Sequence, residues 1–360
     1  MEAVQTNRAI KKSHLKKLGS DPVATAKAVQ LVYINSTADG IKREKRGKSF
    51  VYKVGNRVLK NKAELKRINS LVLPPAWEDV WICALPNGHL QATGKDVKNR
   101  KQYRYHPSWN ELRNKTKFYK MLELGKVLPA IRKQIQKDLL LPGLPKNKVL
   151  ALVISLMEKT GIRIGNEFYE KLYGSFGLTT LKDKHVSFKS DTVKFCFRGK
   201  KGVEHTISLQ SRKLSKIVQH CRDIPGKELF QYIDEDGKRQ TIESGMVNEY
   251  IKEIAGGEFT AKDFRTWCGS VAAINAIKEA GSFETEKEAK KKVVEVLDKV
   301  SVQLGNTRTV CKKYYVHPTL LELYENGNID KWMGKASANN KNENNLAEEE
   351  KVFMHILQSA

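Results

Sequence analysis

Five short stretches of this chain hold residues whose types and spacing could do chemistry. Breaking a phosphodiester without a metal needs a nucleophile, cationic donors for the phosphoryl oxygens and an acid for the leaving alkoxide. No cluster of His, Cys, Asp and Glu with metal-ligand spacing stands out, and no G-x-x-x-x-G-K-[ST] loop occurs. Metal-dependent hydrolysis and ATP-driven chemistry therefore lose support, and Arg, Lys and Tyr chemistry is what remains. In Thr160–Glu167, Arg163 sits between two isoleucines and two glycines beside an apolar run. An arginine is costly to bury alone. Its partner is either a phosphate gripped by the guanidinium fork or a carboxylate, Glu167 or Glu158. In Phe197–Gly202, Lys200 lies on a hairpin tip, where a lysine can reach a groove or an active site or can simply be solvated. In Phe259–Trp267, Thr260 or Asp263 is placed to cap a helix whose first turn holds Arg265. That turn either favours an anion or is a solvated basic turn. In Leu304–Thr307, Gly305 or Asn306 is an ordinary helix C-cap, silent about function by itself. In Lys312–Pro318, a tyrosine stands beside basic residues. A phenol titrates near pH 10, and nearby cations favour phenolate. The competing reading is an aromatic anchor that packs a helix.

The elements that must position these residues fall into two parts. The chain has 360 residues, which predicts two domains of about 150 residues each. It is 40% hydrophobic with 12 Phe, 12 Tyr and 5 Trp, enough for sizeable cores. Lys and Arg number 65 against 40 Asp and Glu, a net charge of +25, so a polyanion is the expected partner, nucleic acid first. Five scattered cysteines without a C-x-x-C pair argue against a zinc site or a disulfide frame and fit a reducing compartment. Met1–Ser20 has no apolar core for a secretory signal, and the longest apolar stretch, Val149–Met157, is too short to span a bilayer. A cytoplasmic protein without membrane contact is expected.

Residues 1–25 read as a flexible basic arm. Short strands are predicted at Val32–Asn35, Ser49–Val54 and Arg57–Val58, and a hairpin at Val80–Ala84 and His89–Thr93 around Pro86-Asn87-Gly88. Gln102–Tyr105 adds another extended piece. From about Trp109 the apolar spacing becomes helical, through Phe118, Met121, Leu122, Leu128 and Ile131. Lys148–Lys159 reads as a buried helix. Val193–Phe197 and Val203–Leu209 alternate around Gly199–Gly202 as a hairpin. Helices are predicted again at Lys213–Arg222, Met246–Ala255, Lys262–Ala280 and Thr285–Leu304. Residues 336–360 read as a polar tail in which Glu350–Leu357 could form one more helix. The domains are thus residues 26–110, small and β-rich, and residues 111–335, mostly helical with one hairpin.

In this chain order the five stretches resemble the type IB DNA topoisomerases, in their small bacterial, poxvirus-like branch. Arg163, Lys200, Arg265, Asn306 and Tyr315 follow the family's order of Arg, Lys, Arg, His or Asn, and Tyr. The GIRIGNE and KDFRTW runs match, as does the spacing of nine residues from Asn306 to Tyr315. Leu73–Trp109 looks like the N-terminal DNA-clamping domain of bacterial members. The resemblance covers about residues 31–324.

The resemblance implies an α+β protein whose second domain has the tyrosine recombinase/topoisomerase IB catalytic fold. It implies that Tyr315 attacks the scissile phosphate and forms a 3′-phosphotyrosyl link, with Tyr314 as its neighbouring decoy. Arg163 and Arg265 would stabilise charge on the non-bridging oxygens, Asn306 would donate a hydrogen bond to one of them, and Lys200 would protonate the departing 5′-oxygen. Lys95, Lys98, Arg100 and Lys101 are expected on phosphates, and Gln102, Tyr103 and Tyr105 on base edges or sugars. Lys262 stands where recombinases usually carry His and joins the expected DNA contacts. Duplex DNA is the implied partner of a monomer on the nucleoid, with no cofactor and no metal. Two rivals remain: a tyrosine recombinase, which would need an exchanged C-terminal segment and defined target sites, and a non-catalytic duplex-binding protein, which would need a defective constellation.

Overall fold

Alternation of apolar and charged residues builds the N-terminal sheet. The computed structural model describes residues 21–47, 49–97, 99–333 and 346–359. It divides into one unit over Met1–Lys120 and another over Met121–Ala360. In the first unit, helix α1 (Pro22–Ala28) is capped by the Asp21 carboxylate. Strands β1 (Gly40–Arg46), β2 (Ser49–Val54) and β3 (Arg57–Val58) precede helix α2 (Lys62–Ser70), and β4 (Glu78–Cys83), β5 (Leu90–Lys95) and β6 (Lys101–Tyr105) follow it. The sheet order is β3-β2-β1-β4-β5-β6, and every pairing is antiparallel. Its buried face joins Ile41, Val80, Ile82 and Ala92 to Ile68 of α2.

Two elements here differ from the sequence reading. Val32–Asn35 is not a strand; it makes one isolated bridge, Val32 to Gly88. Strand β1 carries the run GIKREKR, in which only Ile41 is buried. Its mostly charged side chains hide it from a hydrophobic pattern, and its pairing with β2 and β4 holds it in place.

Helix α3 (Pro107–Asp138) carries the chain from one unit into the other, and the division after Lys120 falls inside it. In the second unit, α4 (Lys146–Thr160) is buried from Val149 to Met157. A helix apolar on all sides must be surrounded, and α4 packs against the helices introduced next. After α5 (Glu167–Tyr173) come β7 (Val186–Lys189), β8 (Thr192–Arg198) and β9 (Glu204–Gln210), one antiparallel sheet. Helix α6 (Arg212–Arg222) and the β10–β11 pair (Gln231–Ile233, Arg239–Thr241) lead to α7 (Ser244–Ala255), α8 (Ala261–Ala280) and α9 (Glu286–Leu304). Helices α6, α7 and α8 all contact α4. The chain continues through α10 (Arg308–Tyr314), α11 (Pro318–Glu325) and α12 (Asp330–Met333). Among the described residues no helix is long and apolar enough to cross a membrane.

The last helix, α13 (Glu348–Ser359), lies where Glu350–Leu357 was offered as one more helix within the polar tail. Its Val352, Phe353, Ile356 and Leu357 are buried, and it packs on α8 of its own chain. A buried charge network fixes its first turn. Arg132 bonds both Glu350 (2.7 Å) and Glu158 (2.5 Å), and Trp267 Nε1 donates to Glu350 Oε1 (2.8 Å). Burial alone would lower the Arg132 pKa, but the two carboxylates outweigh it and hold the guanidinium above its ordinary value. The same contacts hold Glu350 below its ordinary value despite burial. Glu350→Ala should therefore destabilise the protein by about 3 kcal/mol, because it breaks a buried pair and strips the indole of its acceptor. Denaturant unfolding measures this; a loss under about 0.5 kcal/mol, the size of an ordinary surface change, would contradict it.

Candidate active site

Helix α9 ends because Gly305 adopts the left-handed conformation (φ 56°, ψ 51°), which a Cβ disfavours. Its last carbonyls are then taken by side chains from distant parts of the chain. Arg265 Nη2 donates to Leu304 O (3.0 Å). Both terminal nitrogens of Arg163 reach Gly305 O (3.4 Å each), and its Nη2 donates to Asn306 Oδ1 (2.5 Å). The negative end of a helix favours cations, and here it gathers two.

Each arginine arrives on a fixed backbone. Arg163 follows α4, which stops at the left-handed Gly161. The segment after it is pinned by Leu178 N–H to Arg163 O (2.8 Å) and Thr179 N–H to Ile164 O (2.6 Å). The carboxylates offered as its alternative partners are engaged elsewhere, Glu158 with Arg132 and Glu167 with Lys171. Arg265 is the fifth residue of α8, one place beyond the first turn in which it was expected. Thr260 N–H and its hydroxyl both meet Asp263 Oδ2 (2.9 Å) and close the start of that helix. Arg265 is only 5% exposed. Its Nε and Nη1 are buried and meet no hydrogen-bond partner among the described residues.

Tyr315 sits directly after α10. Its N–H donates to Cys311 O (2.9 Å), and its carbonyl accepts from Ser270 Oγ (3.1 Å). The Arg265 guanidinium lies 5.3 Å from the centre of its ring. Gly269, one helical turn beyond Arg265, lets this backbone approach α8: a Cβ there would stand 2.8 Å from Tyr315 O and 2.9 Å from Tyr315 Cβ. Tyr314 is 41% exposed and faces Lys313. Burial and the charge of Arg265 push the Arg163 pKa down to about 10, which leaves it protonated at neutral pH. The result is two like charges, one of them buried, beside a phenol, an arrangement suited to an anion under nucleophilic attack.

Arg163 thus bonds Asn306, Arg265 lies against the Tyr315 ring, and the two pairs meet through the carbonyls at the end of α9. Lys200 lies exposed at the tip between β8 and β9, in the turn Lys200–Gly202. Lys262 is exposed at the start of α8. In the first unit, Lys95 pairs with Asp79 (2.6 Å), and Arg100 and Gln102 both bond Asp96 (2.7 and 2.9 Å). Lys101 bonds Ser36 (2.9 Å), and Tyr103 stacks on Tyr105 at 5.9 Å. Lys98 lies outside the described residues. Sequence reasoning missed Gly269, Ser270 and His205. The signal for the first two was a glycine and a serine four and five residues beyond Arg265, in the middle of a helical apolar pattern.

Comparison with known proteins gives concordant matches. A family model described as the catalytic core of eukaryotic DNA topoisomerase I matches residues 106–344. One described as the N-terminal domain of bacterial DNA topoisomerase IB matches residues 49–96. DNA topoisomerase 1B of Acanthamoeba polyphaga mimivirus is 34% identical over 297 residues, covering 80% of this chain and 88% of that protein. DNA topoisomerase 1B of vaccinia virus (strain Copenhagen) is 26% identical over 255 residues, 70% and 77% of the two chains.

Two like charges, one half-buried and the other buried with orphaned donors, should weaken the ligand-free fold. Arg265→Met keeps the bulk and removes the charge, so it should raise the unfolding free energy by about 1–3 kcal/mol. A chemical denaturation curve reads this; a variant no more stable than the parent would mean that the pair carries no strain.

Proposed function

This chain belongs to the type IB DNA topoisomerases, and from that premise we propose that it relaxes duplex DNA through Tyr315. Tyr315 gives its phenol proton to solvent water, and its Oη attacks the scissile phosphorus in line with the 5′-oxygen. The Oη–P bond forms as the P–O5′ bond breaks, and Lys200 Nζ gives its proton to the departing oxygen. The free end swivels, and the 5′-hydroxyl then attacks the 3′-phosphotyrosyl link and reseals the strand, returning its proton to Lys200 while the departing Tyr315 Oη takes one from solvent. That covalent link conserves the energy of the broken phosphodiester, so the cycle needs no ATP, and no step runs through a metal.

The observation that carries this reading is the pair of buried donors, Arg265 Nε and Nη1, without an acceptor among the described residues. A buried donor left unmade costs about 1–3 kcal/mol, and a phosphoryl oxygen beside Tyr315 would satisfy it. Arg163 lies across the same helix end, so its fork is placed for a second non-bridging oxygen. Asn306 holds its amide oxygen toward Arg163, and its Nδ2, 3.4 Å from Leu304 O, can turn to the phosphate. Removing one donor of such a site typically costs about 3–4 kcal/mol of transition-state stabilisation.

We assign the end of β5, strand β6 and their connection to DNA binding. Lys95, Lys98, Arg100 and Lys101 would lie on phosphates, with Gln102, Tyr103 and Tyr105 on sugars or base edges. Lys262 would take a phosphate next to the cleaved one. We also infer a monomer at work on the nucleoid in the cytoplasm. The five cysteines, all free thiols, fit a reducing compartment.

The test is relaxation of a supercoiled plasmid in excess EDTA without ATP, by wild type and Tyr315→Phe. The wild type should yield a ladder of relaxed topoisomers, and the variant should bind the plasmid and yield none. If neither protein relaxes DNA that both bind, a recombinase or a binding protein becomes the better reading.

A further inference from the structure

One side chain lies against both the hairpin tip and the turn after α9. His205, in β9, pairs across the hairpin with Phe197. Their rings stack at 4.9 Å and 13°. A Cβ on Gly199 would stand 2.6 Å from His205 Nε2, and a Cβ on Gly305 would overlap the imidazole. Gly199 has φ −93°, a value open to any residue, so glycine serves there by leaving room for the ring. Gly199 also closes the tip that bears Lys200: its N–H donates to Val203 O (2.7 Å), and its carbonyl accepts from Gly202 N–H (3.1 Å). On the other side, Gly305 O and the neighbouring Asn306 side chain are the acceptors that hold Arg163.

We propose that His205 is a positioning residue for strand cleavage, the spacer that keeps the Lys200 tip in register with the Gly305-Asn306 turn and its arginines. The proposal rests on the reading of Lys200 as proton donor. The imidazole acts by shape. Burial, then the charges of Arg163 and Arg265, push its pKa below the ordinary value, against a smaller pull from Glu204. It is therefore neutral at pH 7 and stays out of the charge balance on the phosphate.

The test uses the full chain and single-turnover cleavage of a duplex oligonucleotide. One substrate carries the normal 5′-oxygen at the scissile bond and the other a bridging 5′-sulfur. A thiol has a pKa of about 8.5, so the sulfur leaves as thiolate and needs no proton donor. His205→Ala should slow cleavage of the oxygen substrate about tenfold or more, within the span of general-acid catalysis. On the sulfur substrate the loss should be under about threefold, with DNA binding unchanged. His205→Gln, whose planar amide refills the space, should recover most of the oxygen-substrate rate. The proposal is overturned if His205→Ala cleaves both substrates like wild type. It is also overturned if that variant loses equally on both while Lys200→Ala is rescued by sulfur. If Lys200→Ala itself loses equally on both, the proton-donor reading falls and takes the proposal with it.

Discussion

Two guanidinium groups held side by side repel each other, and burial removes the water that would screen them. The C-terminal end of α9 makes the arrangement tolerable. Its carbonyls at Leu304 and Gly305 accept from Arg265 and Arg163, and the partial negative charge of a helix end adds to each contact. Gly305 matters twice, because its left-handed turn ends the helix and its missing Cβ leaves space for His205. The compensation is incomplete. Arg163 has a lowered pKa, and Arg265 keeps two orphaned donors. In the proposed reaction, a scissile phosphate meets that remainder of unmet charge.

Precision at this point depends on packing well away from it. Arg265 lies on α8, two residues before Trp267, whose indole donates to Glu350 of α13. Arg163 follows α4, whose Glu158 bonds Arg132, and Arg132 also bonds Glu350. A single buried network thus touches α8, which carries Arg265, and α4, which precedes Arg163, and fastens the last helix of the chain to them. Gly269 and Ser270 then seat the Tyr315 backbone on the same face of α8 as Arg265. A site held to within tenths of an ångström needs rotamers locked by such neighbours.

Much of the helical framework was legible because long apolar periodicity survives without context. Lys262–Ala280 and Thr285–Leu304 appear as Ala261–Ala280 and Glu286–Leu304. The Gly199–Gly202 hairpin was equally plain, with alternating strands on both sides of paired glycines. What was hidden had tertiary causes. Strand β1 is charged along its length and exists through its neighbours. A helix at Glu350–Leu357 could be read, but not its burial: Glu350 is buried because Arg132, far away in sequence, meets it. Around the site, types and order drew attention to Arg163, Arg265, Asn306 and Tyr315. Sequence could not tell that Asn306 would face Arg163. Nor could it tell that a histidine five residues past Lys200 would touch the turn before Asn306, since neither contact has a local signature.

The central claim is that Tyr315, and not the exposed Tyr314 beside it, becomes covalently joined to DNA. The direct measurement is to denature the protein in the middle of its reaction with a duplex substrate, digest it, and locate the nucleotide adduct by peptide mass spectrometry. The predicted result is a nucleotide on Tyr315, lost in Tyr315→Phe and kept in Tyr314→Phe. An adduct on Tyr314, or one that survives Tyr315→Phe, would contradict it.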